Sequence, residues 1–443
     1  MTTTYDPFHP KYLDGADLRE EMDRVFDLCH GCRLCFKFCP SFPTLFAAID
    51  EHDDQDAAKI TDAQAFQVVD ECFNCKLCGE VNCPYTPGKH EWALDFPRLM
   101  LRAKAFQQAD GQKTARSRVT DKALAKTDLV GALNSGPAAP LVNKALGTPG
   151  SGLRKVVAKV VGIHEERILP PYARTRFSTW FKRHTPRLAR PKQGDVAVFP
   201  TCLVEYTDTQ VGRDLVGVYE RNGLSCSVPD GLRCCGAPAL HQGDLAAFRK
   251  DAAHNVAILA DAIRQAEARG DDLTVVVPEP TCGFVLKSDY VDYLGTEDAQ
   301  LVAEHTRDAA EHLVAVHKAP DTELDTEFTG EVPEKVVYHA PCHLRAQSIG
   351  LRSRDLIKLT GAKVTVVAEC SGIDGTWGLR AENYDAARGV AAKMAKAIDK
   401  AGADVVAGDC SLANGGIELE TGRTPQHPLS VVARAYGIPT DAP

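Results

Sequence analysis

The runs Cys29-x2-Cys32-x2-Cys35-x3-Cys39-Pro40 and Cys72-x2-Cys75-x2-Cys78-x4-Cys83-Pro84 place eight of sixteen cysteines within residues 29–83. This spacing suits two cubane four-iron clusters, because three close thiolates wrap one cluster while the remote fourth reaches its neighbour. The expected sets are Cys29, Cys32, Cys35 and Cys83 at one site and Cys72, Cys75, Cys78 and Cys39 at the other. Paired zinc sites would need only four ligands in looser pairs, and a disulfide lattice does not suit a reducing compartment. The extra residue before Cys83 enlarges a loop without removing a ligand.

Most of the remaining cysteines fall in two related stretches. Asp195–Cys202 and Lys335–Cys342 both read as a β-run delivering a cysteine, as do Leu273–Cys282 and Ala403–Cys410. Ligands of parallel sheets collect beyond the carboxyl ends of the strands, so these dispersed cysteines should converge. In the first repeat the set is Cys202, Cys234, Cys235 and Cys282. Adjacent thiolates point poorly into one tetrahedral zinc site but can bridge or bind different irons, and Gly236 leaves room where a side chain would strike metal or ligand. Cys226 reads as an ordinary core or surface thiol.

The second repeat keeps Cys342, Cys370 and Cys410, with Ser371 in place of the second paired cysteine. A serine hydroxyl is a harder, rarely ionised ligand, so three thiolates would leave one iron open to Ser371, His343, water or substrate. His343 and Arg345 are the candidate proton donor and anion contact beside it, ahead of His339. Glu369, Asp374 and Asp409 are close in sequence, and Trp377 reads as a core anchor.

Positioning these residues requires helices round the first two runs. Leu18, Met22, Val25 and Phe26 are spaced for a helix leading into Cys29; others are expected near 43–50, 62–71 and 96–125. Lys37 and Lys76 read as solvated. Residues 126–192 contain too many breakers for one helix. Between 151 and 192 eleven Lys or Arg face two Glu. The stripe of Leu153, Val156, Val157, Val160 and Val161 suits either a membrane-surface helix or, as favoured here, one packed against the protein, with Phe177, Trp180 and Phe181 as plugs between domains. Helices near 244–268 and 381–400 precede the second strand of each repeat.

The formal charge of −9 argues against nucleic acid. The first residues show no basic leader before an apolar run, and no window is apolar enough to span a bilayer, which predicts a cytoplasmic protein, at most peripheral at the inner face of the membrane. No Gly-x-Gly-x-x-Gly follows a strand, so neither flavin nor NAD is expected on this chain.

The two cysteine runs, Cys202 with Cys234-Cys235-Gly236 and Cys282, and Tyr338-His339-Ala-Pro-Cys342-His343-Leu-Arg345 resemble the family of iron–sulfur subunits found in anaerobic glycerol-3-phosphate dehydrogenase, glycolate oxidase and heterodisulfide reductase. The resemblance covers nearly the whole length. It implies an α+β multidomain protein: a helical two-cluster ferredoxin-like domain (1–125), a basic amphipathic connector (126–192), and two duplicated α/β cysteine-rich domains of CCG type, the first over 193–325 and the second, degenerate, over 326–443. Heterodisulfide reductases carry an earlier cysteine where Glu279 and Ala407 stand here, and with Ser371 these departures weaken a disulfide-reductase assignment. The closing segment from Asp409 to Gly437 resembles a branch that accompanies rubrerythrin-like proteins.

The function this implies is electron transfer from a partner flavoprotein dehydrogenase to quinone or another acceptor. The alternative is reduction of a disulfide, persulfide or peroxide at an open C-terminal cluster, with a rubrerythrin-like partner. The expected cofactors are two cubane [4Fe-4S] clusters and an iron–sulfur cluster in each cysteine-rich domain.

Overall fold

The computed structural model describes residues 5–373 and 375–439, so Asp374 lies outside the described residues. The first helix, Gly15–Cys32, begins where the Asp14 carboxylate caps the Asp17 N–H and ends where Arg33 turns left-handed (φ 52°). It runs one turn beyond the expected stretch and so carries Cys29 and Cys32 on its last turn. Helices Ser41–Asp50 and Asp62–Asp70 follow, the latter opened by a reciprocal Thr61–Gln64 cap. The basic stretch expected as one helix breaks into Phe96–Ala109 and Ala115–Ala125. Leu18, Phe26, Phe42, Leu45, Val68 and Leu99 form a core against which the cysteines of both runs other than Cys32 pack.

The connector folds into short helices, and its basic helix packs against the protein as favoured but not through the whole apolar stripe. Helix Gly152–Val161 buries Arg154 and Ala158 and exposes Leu153, Val156 and Val160. The reason is the guanidinium: Arg154 donates to the carbonyls of Leu146 (3.1 Å), His164 (3.2 Å) and Arg167 (2.7 Å), so that face must turn inward. Phe177 does act as a plug. It is fully buried in a core that holds Val196 and Val198 of the first repeat with Leu356, Leu429 and Tyr436 of the second.

Each repeat is an all-parallel sheet with helical crossovers. The first contains β1 (Gly194–Val198), β2 (Leu224–Ser227), β3 (Leu273–Val277) and β4 (Thr306–Asp308) in the order β2-β1-β3-β4. The second contains β5 (Lys335–His339), β6 (Lys363–Val367) and β7 (Val405–Gly408) in the order β6-β5-β7. The interior strands β1, β3 and β5 read as short, Val-rich runs, as strands covered on both faces require.

Candidate iron–sulfur sites

Cys29, Cys32, Cys35 and Cys83 line one cavity, walled by Phe42 and Phe96. The Asn82 amide donates to Cys35 Sγ (3.3 Å) and the Tyr85 N–H to Cys83 Sγ (3.4 Å). Cys32 is exposed to solvent. Cys39 stands with Cys72 and Cys78, close enough for Cys72 and Cys39, and after them Cys35 and Cys29, to oppose ionisation of Cys78. Cys75 packs against the same core. Left-handed backbone at Asn74 (φ 54°) and Lys76 (φ 64°) wraps this second run.

The chemistry of these sets fits a cluster. Burial pushes the Cys35 thiol up to about 11 and the Cys29 thiol well above its ordinary range, with the neighbouring thiols adding to the shift at Cys29. Soft ligands gathered away from water need a metal core to ionise, and N–H groups aimed at sulfur are the contacts that tune one.

In the first repeat Cys202, Cys234, Cys235 and Cys282 form a continuous chain of thiol contacts. Cys202 sits not at the end of β1 but in the helix beyond it, Thr201–Tyr206, and Cys282 likewise in Pro280–Phe284. The Cys234 N–H donates to Asp128 Oδ2 (2.6 Å), a connector residue that the sequence did not single out. Gly236 has φ +88°, and a Cβ there would come within 2.7 Å of the Phe248 ring. Cys226 is a buried core thiol on β2.

In the second repeat Cys342, Cys370 and Cys410 follow β5, β6 and β7, neighbouring strands of one sheet, and reach the same edge. The Gly372 N–H donates to Cys370 Sγ (3.3 Å), and Gly372 repeats the left-handed turn of Gly236. Ser371 beside it is buried. His339 Nε2 bonds the Glu369 carbonyl (2.9 Å) and Arg345 donates to the Ala368 carbonyl (3.0 Å), so both brace the loop that presents Cys370. Asp409 takes the Tyr338 hydroxyl at 2.5 Å and is also bonded by Ser353.

The three units meet at His343. Its Nδ1 lies 3.1 Å from Thr281 Oγ1 and 3.9 Å from Cys342 Sγ, and the ring faces the Asn74 backbone. Burial holds it neutral, its pKa lowered to about 3. Lys76, expected in solvent, is buried there too: its ammonium pairs with Asp289 (3.4 Å) and lies 5.5 Å from the centre of the Phe284 ring. Lys37 is exposed, as expected. Trp377 anchors the second repeat on the first unit, donating to the Asp70 carbonyl (2.9 Å) with its ring 4.5 Å from that of Phe73. Lys76 carries no motif; only its place beside cysteines could flag it.

Comparison with known proteins agrees with this division. Residues 21–115 match a 4Fe-4S dicluster domain, and residues 196–287 and 336–412 each match a cysteine-rich domain. The chain is 28% identical to a subunit of the anaerobic glycerol-3-phosphate dehydrogenase of Escherichia coli, over 93% of this chain and 99% of that protein. It is 26% identical to a subunit of the fumarate reductase (CoM/CoB) of Methanothermobacter marburgensis, over 77% of this chain and 65% of that one. A lactate utilization protein A of Bacillus cereus is 29% identical over 42% of this chain and 74% of its own. The chain therefore carries a 4Fe-4S dicluster domain preceding two cysteine-rich domains, and it is similar to this subunit of anaerobic glycerol-3-phosphate dehydrogenase over nearly its whole length.

Proposed function

We propose that this chain is the electron-carrying subunit of a dehydrogenase complex, taking electrons from a flavoprotein and delivering them to a quinone at a membrane surface. The observation that carries the reading is continuity between the cysteine sets. Cys370 packs against the core that holds the ferredoxin-like cysteines, Trp377 bonds Asp70, and His343 joins Cys342 to Thr281, the neighbour of Cys282. When bound, iron–sulfur clusters supply one-electron steps, and the set they occupy tunes their potential. The chain's own part is to gather the thiols where the three units meet. His343 is buried at that junction and Arg345 donates to the Ala368 carbonyl, placements that support a carrier over the reductase considered from sequence.

The membrane part rests on the connector. Among the described residues no helix is long and apolar enough to cross a bilayer. Yet Leu133, Leu141 and Val160 are 67%, 74% and 63% exposed, beside the exposed lysines Lys122, Lys126, Lys144, Lys155 and Lys159. Apolar side chains among lysines on a chain of net charge −9 suit an anionic lipid surface.

Anaerobically purified protein should hold about sixteen irons if all four sites take four-iron clusters. About eight irons, unchanged when Cys202 or Cys342 is replaced, would confine electron transfer to the first unit. Sedimentation with phosphatidylglycerol vesicles should be lost in Leu141→Glu; retention there would remove the membrane arm.

A further inference from the structure

Beside Cys202 lies a cavity of about 180 Å³ that no part of the electron path described above uses. Two segments build it: the connector contributes Asp128, Ser178 and Lys182, and the first cysteine-rich repeat contributes Thr201, Glu205 and Tyr206. For scale, a cavity of about 150 Å³ accommodates a benzene ring. The backbone here is held in an uncommon form. Thr201, β-branched and buried, has φ +60°, and it starts the helix that turns Cys202 toward the cavity. A left-handed β-branched residue costs energy and is a feature that marks functional turns.

We propose that this cavity receives the head of a quinone and is where electrons leave the protein. This rests on the reading of the chain as a carrier between a dehydrogenase and a membrane acceptor. Three observations point to such a ring. Cys202 lines the wall, so a bound molecule lies against one of the four thiols of the first repeat. Asp128, which takes the Cys234 N–H, belongs to helix Thr127–Asn134, and on that helix Leu129 and Leu133 are exposed as part of the proposed lipid-facing surface. The lining also disfavours a small anion. Asp128, Glu205 and Asp230 are all acidic, while Lys182 is paired with Asp230 (2.9 Å) and Arg233 with Asp251 (3.3 Å). A neutral ring with two carbonyl oxygens can accept a hydrogen bond from Tyr206 without bringing charge against those carboxylates.

The chemistry balances as one quinone, two electrons and two protons giving one quinol. A cluster held by Cys202, Cys234, Cys235 and Cys282 would supply the two electrons one at a time, replenished by the partner dehydrogenase. The protons come from water through the open mouth of the cavity, and both ring carbonyl oxygens end as hydroxyls.

The test uses the full chain with its clusters, reduced by dithionite and mixed anaerobically with menadione, following re-oxidation by absorbance. A fluorescent hydroxyquinoline N-oxide serves as a separate binding probe. Ser178→Trp should fill the cavity, slow menadione-driven re-oxidation by about tenfold or more and abolish probe binding, while Tyr206→Phe should weaken both more mildly. Iron content and re-oxidation by ferricyanide, measured alongside, establish that the variants are loaded and conducting. Wild-type rates and probe binding in a loaded Ser178→Trp would overturn the site, and so would a wild type that neither reacts with menadione nor binds the probe. Because dithionite supplies the electrons, inability to accept them from a dehydrogenase would not affect this result, and the two readings fail separately.

Discussion

Glu279 of the first repeat reaches across to Ser411 of the second: its carboxylate oxygens lie 3.3 Å from the Ser411 backbone nitrogen and also accept the Ser411 hydroxyl. Cys410, the residue that opens helix Ser411–Thr421, offers it no side-chain cap, so a residue standing where relatives of the heterodisulfide type keep a cysteine caps the helix instead. The same short segment also bonds His427 through the Pro278 carbonyl (3.1 Å), Gln347 through the Pro280 carbonyl (3.0 Å) and His343 through Thr281. It is a clamp between the two cysteine sets.

Glu279→Ala should therefore destabilise the protein by about 1–3 kcal/mol, the cost of leaving buried donors unpaired, and disturb the signal of the Cys342, Cys370 and Cys410 site. Glu279→Gln, which keeps an acceptor, should recover most of both. Thermal unfolding and electron paramagnetic resonance of the reduced protein read the two effects; an unaltered melting temperature in the alanine variant would show that the cap carries no weight.

The same carboxyl has a pH consequence. Burial pushes Glu279 up to about 8, so the folded state holds its proton more tightly than the unfolded chain does, for which the ordinary value is 4.5. Its contribution is complete below pH 4.5 and is lost as pH rises through 8. Across that window, then, Glu279→Gln should gain stability relative to wild type as pH rises. Parallel stability curves measured in urea across that range would rule this out.

Trp377→Ala removes a side chain that is 9% exposed and joins the second repeat to the ferredoxin-like unit. A loss of about 3–5 kcal/mol is expected for truncating a buried tryptophan. Transfer between the units should slow as well, because Cys370 packs on the same core. Rapid-freeze spectra after mixing with a reductant distinguish the two effects: full-rate reduction of the C-terminal site in a folded variant would leave Trp377 as an anchor only.

Much of this arrangement is legible in residue spacing because thiolate geometry is local. Cys29 to Cys35 must curl round one volume, and Val-rich runs ending near cysteines must be parallel strands with their ligands at one edge. What periodicity cannot reveal depends on partners remote in sequence. Lys76 reads as solvated because its counter-charge, Asp289, lies 213 residues away in sequence. The Val156 and Val160 stripe reads as a buried face because one arginine's three carbonyl partners, which decide the orientation, leave no trace in hydrophobicity. Glu279 reads as a lost ligand, and its role as a cap emerges only once the second repeat is folded against it.

Ser371 poses the sharpest question about the second repeat. It is buried in the turn shaped by Gly372, at the position that Cys235 occupies in the first repeat. Around it, Cys342, Cys370 and Cys410 still follow three adjacent strands. If the exchange leaves an iron accessible, Ser371→Cys should close that position, change the oxidised cluster's spectrum and suppress binding of small ligands such as cyanide, while the signals of the first unit stay as they were. If instead the second repeat has simply lost its cluster, Ser371→Cys will alter no spectrum, and Cys370→Ala will leave the iron content intact. We expect the first outcome, because the bracing of the loop by His339 and Arg345 holds Cys370 in place through two separate carbonyls. A loop released from metal binding would have no need of either.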